Sequence, residues 1–133
     1  GWKPSATASD GAPATQRITL PEGGHWLLSL EYDSRRPLHL TSPEINLDRT
    51  VPANLDFRGE TPPFQVGYVD TNERVTAEVR VEPEEPNLLG RLLRAPNEAH
   101  LRSLTAVSLA GDAVRRVPLS EACGEYVDWY RAG

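Results

Sequence analysis

Between Arg74 and Glu82 the chain reads RVTAEVRVE, with a period of two that never breaks: Val75, Ala77, Val79 and Val81 point one way, Thr76, Glu78, Arg80 and Glu82 the other. A helix would scatter those valines around its circumference. A strand in an antiparallel sheet puts them on one dry face and leaves one wet. The same pattern recurs upstream, where Trp26, Leu28, Leu30 and Tyr32 alternate with Leu27, Ser29 and Glu31. These two stretches commit much of the chain to β-structure.

Shorter runs follow the same rule: Ile18 with Leu20, Ile45 with Leu47, Leu55 with Phe57, and Phe64, Val66 and Tyr68. Turn clusters separate them at Thr41-Ser42-Pro43, Val51-Pro52-Ala53-Asn54 and Gly59-Glu60-Thr61-Pro62-Pro63. After Tyr32 comes the charged group Asp33-Ser34-Arg35-Arg36, and Leu38 and Leu40 then resume the alternation around His39. Pro37 fixes its own φ and biases Arg36 away from helix, so the segment reads as a chain reversal, expected to close a hairpin. Gly111-Asp112 suits a second hairpin, pairing Leu104 to Ala110 with Ala113 to Pro118. The sole helical candidate is NLLGRLLR, 87–94, weakened by Gly90 in its middle.

Twelve prolines, ten glycines and this many short strands predict an all-β fold, an antiparallel two-sheet β-sandwich with jelly-roll-like wiring and at most one short helix. Residues 1–15 are small, polar and broken by Pro and Gly, and are expected to be a flexible linker ahead of a single domain over 16–133. The chain has no Met and opens Gly-Trp-Lys-Pro, from which we expect an excised domain or mature product.

The net charge of −5 is opposite to the basic footprint of a nucleic-acid binder and does not favour an anionic membrane surface. No apolar run approaches the ~20 residues needed to cross a bilayer, so no membrane insertion is expected of this piece. A single cysteine, Cys123, excludes an internal disulfide and a multi-thiolate metal site, and is expected to be a small buried thiol.

Enzyme signatures are missing: there is no G-x-S-x-G elbow, phosphate loop or dinucleotide fingerprint. His25, His39 and His100 are scattered, without the H-x-x-x-H spacing that places two imidazoles on one metal, and read as surface or structural histidines. The acidic run Glu82-Pro83-Glu84-Glu85-Pro86 reads as a solvated strand end rather than a catalytic carboxylate pair. We expect no catalytic residues, no metal and no cofactor.

Binding residues are sought among aromatics, since sugars stack on exposed rings while neighbouring polar groups bind their hydroxyls. If CGEYVDWYRAG ends in a strand, Tyr126, Asp128 and Tyr130 share one face and Val127 and Trp129 the other. Two tyrosines flanking a carboxylate would make a sugar platform; the alternative is that this segment only seals the sandwich. Asp33 and Arg35 in the charged reversal are the other candidates, placed where binding loops lie, although exposed turns are commonly charged as well.

The run GHWLLSLEYDSRRPLHL, 24–40, with the terminal CGEYVDWYRAG, resembles segments of uncharacterised actinobacterial multi-span membrane proteins. In that family a G-x-W-x-L-S-L-x-Y strand precedes a Pro-Leu strand, and an extracytoplasmic domain closes on C-G-x-Y-V-D-W-Y. Lys3 is the sole lysine among 14 basic residues, an Arg bias that agrees with a GC-rich source. The resemblance implies an extracytoplasmic, periplasmic or cell-surface, C-terminal sandwich attached to a membrane-anchored parent, with cell-envelope glycan as its partner. The competing expectation is a structural or protein-interaction domain packed on the membrane portion of that parent or on another partner.

Overall fold

The computed structural model describes residues 3–4, 14–54, 63–84, 98–110, 113–119 and 125–128, with side chains over 14–54, 63–84, 101–108 and 116–119. Two antiparallel sheets face each other across one core, and the fold is an all-β sandwich. The first sheet has the order β1 (Lys3–Pro4), β2 (Ala14–Leu20), β7 (Val75–Pro83), β4 (Leu38–Ser42), β5 (Leu47–Val51). The second runs β10 (Glu125–Asp128), β8 (Glu98–Ala110), β3 (Gly24–Ser34), β6 (Phe64–Thr71). β8 is long enough to hold two partners in succession on one side, β10 along Glu98–Leu101 and β9 (Ala113–Pro118) along Thr105–Ala110. The Leu104–Ala110 and Ala113–Pro118 hairpin therefore forms in the expected register, within a longer β8.

The alternations read from sequence fill the core. Trp26, Leu28, Leu30 and Tyr32 are buried from the second sheet, and Ala77, Val79 and Val81 from the first. Ile45 is buried too, but in a 3-10 turn, Pro43–Ile45, rather than the expected strand; Asn46 ends that turn in the left-handed region and Leu47 opens β5.

The charged group after Tyr32 corrects an expectation. The chain does reverse there, but β3 and β4 belong to different sheets, so Asp33 to Pro37 is an arch between the layers and not a hairpin. Backbone bonds hold it: Ser34 and Asn54 exchange N–H···O bonds of 2.7 and 2.9 Å, and the Glu84 N–H donates to the Pro37 carbonyl at 2.9 Å. The buried Ser34 hydroxyl donates to the Arg36 carbonyl at 2.7 Å and accepts from the Arg36 N–H at 3.2 Å. Turn chemistry encodes the reversal, while the layer of the next strand depends on partners far along the chain.

The linker boundary also moves. Ala14 and Thr15 open β2, with Ala14 fully buried, and Lys3–Pro4 pairs back onto them. The helical candidate 87–94, the strand expected at Leu55 and Phe57, and Cys123 lie outside the described residues.

Two bulges interrupt the second sheet. On β6, Leu28 stands opposite Gly67 while Ser29 stands opposite Gln65, so Val66 is the extra residue. On β8, Leu30 faces Leu104 and Tyr32 faces Leu101, so Arg102 and Ser103 oppose Glu31 alone. The β6 bulge overturns the expected alignment of Tyr68 with Phe64 and Val66: Val66 and Val69 turn inward and Tyr68 emerges on the outer face, while Phe64, opposite the buried Leu30 and edge-on to Tyr32, is only part-covered at the start of the strand. Where β5 passes β6, Arg49 crosses to the second sheet, its Nε 3.0 Å from where a Cβ on Gly67 would stand.

Candidate functional site

The end of the sandwich where β3 begins is tightly tied. A Cβ on Gly23 would lie 2.5 Å from the Asn72 carbonyl oxygen, so only glycine lets the β2–β3 turn approach the β6–β7 turn this closely. The Glu22 carbonyl accepts from the buried Trp26 Nε1 at 3.3 Å and from the Thr71 hydroxyl at 3.2 Å. Core packing and these bonds fix the first residues of β3 against the last residues of β6.

On that support stands an exposed aromatic pair. The β6 bulge re-phases the strand so that Tyr68 emerges on the outer face, and the His25 and Tyr68 rings stack with centroids 4.3 Å apart and planes 7° from parallel. The Asp70 carboxylate pairs with His25 Nδ1. Tyr68 remains 57% exposed, so the contact with His25 covers one side of the ring and leaves the other to solvent.

Register extends the pair into a surface. Tyr68 stands opposite Leu27, Leu27 opposite Val107, and Val107 opposite Arg116, so one row crosses four strands from an aromatic ring over two half-buried aliphatics to an exposed guanidinium. The next row on the same face carries Gln65, Ser29, Thr105 and Pro118, with an amide and two hydroxyls alongside the apolar track. Around the corner a cleft of about 240 Å³ lies against the β6–β7 turn, lined by Glu44 and 70–75, with Asp70 common to cleft and platform.

The residues singled out in the sequence fall elsewhere. Asp33 is at the far end of β3, where its carboxylate accepts from Arg102 in an ion pair with both side chains about one-fifth exposed, 20% and 23%. That is a cross-strand tie at the β8 bulge. Arg35 is exposed on the arch. Tyr126 and Asp128 lie on β10, and pairing puts Tyr126 opposite His100, itself opposite Asp33, so three strands bring two candidates onto one row. Asp128 stands opposite Glu98, and Tyr130 lies outside the described residues.

Beside Asp33, the Tyr32 hydroxyl donates to the Pro52 carbonyl and burial pushes its pKa up to about 12, so it is a structural donor. The Asn54 side-chain amide donates to the Tyr32 carbonyl at 2.8 Å, closing the same corner. The outer face of the first sheet carries His39, whose Nε2 is 2.6 Å from Asp48 and whose Nδ1 is 3.6 Å from Glu82. The bond to Asp48 raises the imidazole pKa above its ordinary value, opposed by partial desolvation and helped by the charges of Asp48, Glu84 and Glu82. Among the described residues no group of three or more His, Cys, Asp or Glu is placed to hold a metal ion.

Sequence reasoning missed the His25–Tyr68–Asp70 platform because strict alternation put Tyr68 in line with Val66. Gly67 was the available signal, since a glycine inside a strand marks a bulge or a close approach, and here it marks both. Comparison with protein-family models, with curated proteins and with solved structures finds no match.

Proposed function

We propose that this domain is a non-catalytic binding module for cell-envelope carbohydrate, a jelly-roll-like sandwich carried outside the cytoplasm by a membrane-anchored actinobacterial parent. The observation that carries the reading is the exposed Tyr68 ring, braced from behind by His25 and bordered by Asp70, Gln65, Ser29 and Thr105 on an open sheet face. A sugar presents an apolar ring face and a rim of hydroxyls. This surface presents the complement, a rigid ring for stacking and short polar groups beside it, at small entropic cost because the ring is already held. Tyr126 and Asp128 on β10, with Asp33 and Arg35 towards the arch, are kept as a second contact region, and Tyr130, kept with them, lies outside the described residues.

The test is a titration with arabinan or galactan fragments followed by NMR. Binding in the millimolar to high micromolar range should shift the Tyr68 and His25 ring resonances, and Tyr68→Ala should abolish it while the remaining spectrum stays folded. Silence with every envelope glycan would end the carbohydrate reading.

One observation favours a protein partner instead. Both large apolar side chains found exposed among the described residues, Phe64 (39%) and Tyr68 (57%), lie on β6, the last strand of its sheet. On that reading the domain packs on its parent's membrane portion, and Tyr68→Ala weakens that association while no glycan binds.

A further inference from the structure

The row through Tyr68 has two chemically different ends, and this polarity goes beyond the stacking site. Neighbouring strands are ~4.8 Å apart, so three spacings separate Tyr68 on β6 from Arg116 on β9 by ~14 Å. That exceeds a single sugar ring and suits a short chain lying across the strands. Leu27 and Val107 are half-buried between the ends, a low track over which apolar ring faces can lie, and Ser29 and Thr105 run parallel to it.

The charges differ between the ends. At the Tyr68 end stands Asp70, with Glu73 and Glu44 around the corner in the cleft beside Arg74. At the other end stands the exposed Arg116. The physiological Debye length is ~8 Å, so across ~14 Å of surface the two ends act on a ligand almost independently. A planar guanidinium offers paired N–H donors matched to a carboxylate, which the carboxylates near Tyr68 would repel.

We propose that the platform takes an extended glycan of about three sugars, running from β6 to β9, with a uronic-acid residue at its Arg116 end. The inference rests on the carbohydrate reading and adds a ligand class, a direction and a selecting residue. Tyr68 supplies stacking common to neutral and acidic chains; Arg116 supplies the preference for the acidic chain.

Galactotriose and its counterpart carrying a single terminal galacturonic acid, titrated separately into the domain at physiological salt, make the comparison. The acidic trisaccharide should bind about fivefold more tightly, the scale of one exposed ion pair. Arg116→Gln should erase the difference and leave galactotriose unchanged, Arg116→Lys should restore part of it, and Tyr68→Ala should abolish binding of both. Equal affinities in the native domain, or a preference that survives Arg116→Gln, would overturn the uronate assignment and leave the stacking site standing. If neither trisaccharide binds, the carbohydrate reading falls and takes this inference with it.

Discussion

The two sheets share a core and differ in what they show to water. The outer face of the first is a regular ladder of polar pairs: Arg17 opposite Glu78, Thr19 opposite Thr76 with their hydroxyls 3.2 Å apart, and His39 between Thr50 and Glu82. No bulge breaks the β7 alternation, and each outward position is polar or charged. The second sheet has the two bulges, and its outer face carries Tyr68, Leu27 and Val107. Uninterrupted pairing keeps a face uniformly wet. One inserted residue re-aims the side chains beyond it without disturbing the core face of the strand next door.

The sharpest way to break this contrast is through the shared core. Trp26→Ala removes the largest fully buried side chain among the described residues, which also bonds to the Glu22 carbonyl under the platform, and should cost about 3–5 kcal/mol in denaturant unfolding. A loss below ~1 kcal/mol would mean that the platform's support is independent of the core. Next comes the β8 bulge. Asp33→Ala leaves Arg102 without this part-buried partner and should cost about 2 kcal/mol, as expected for a charged hydrogen bond. A negligible loss would show that the Asp33–Arg102 pair does not tie the strands together.

The first sheet should respond to pH through His39. Its pKa is raised in the folded protein, mainly by Asp48, so protonation stabilises the fold: the contribution is complete below the ordinary value of 6.5 and is lost as pH rises through the raised value. The effect should be on the order of 0.5 kcal/mol, given how exposed Asp48 is, and His39→Gln should remove it from a stability-versus-pH curve. Stability that instead rises across that window would refute the assignment. Smallest of all, Arg35→Ala on the exposed arch should change stability by no more than ~0.5 kcal/mol. A larger change would show that the arch depends on that side chain.

Legibility in the sequence followed the same division. β7 and the inward face of β3 could be read residue by residue, because period two is sufficient wherever pairing is regular. The β6 face could not, since a bulge adds one residue and an apolar count of Phe64, Val66 and Tyr68 looks the same with or without it; the spacing of three between Val66 and Val69 around Gly67 carried the information. The arch was legible as a reversal from Pro37 and opaque as a crossover, because its strands' partners lie elsewhere in the chain. Among the candidate residues, Asp33 and Tyr126 fall on one row through His100, a proximity set by tertiary register that local periodicity does not contain.

The guanidinium of Arg49 leans over Gly67 at the margin where β5 and β6, the last strands of their sheets, run past each other. Any foreign strand that tried to extend either sheet there would have to strip water from that cation or push it out of the gap left by the missing side chain. A charge held across the margin between these two end strands is a form of edge protection that disfavours strand addition at that margin.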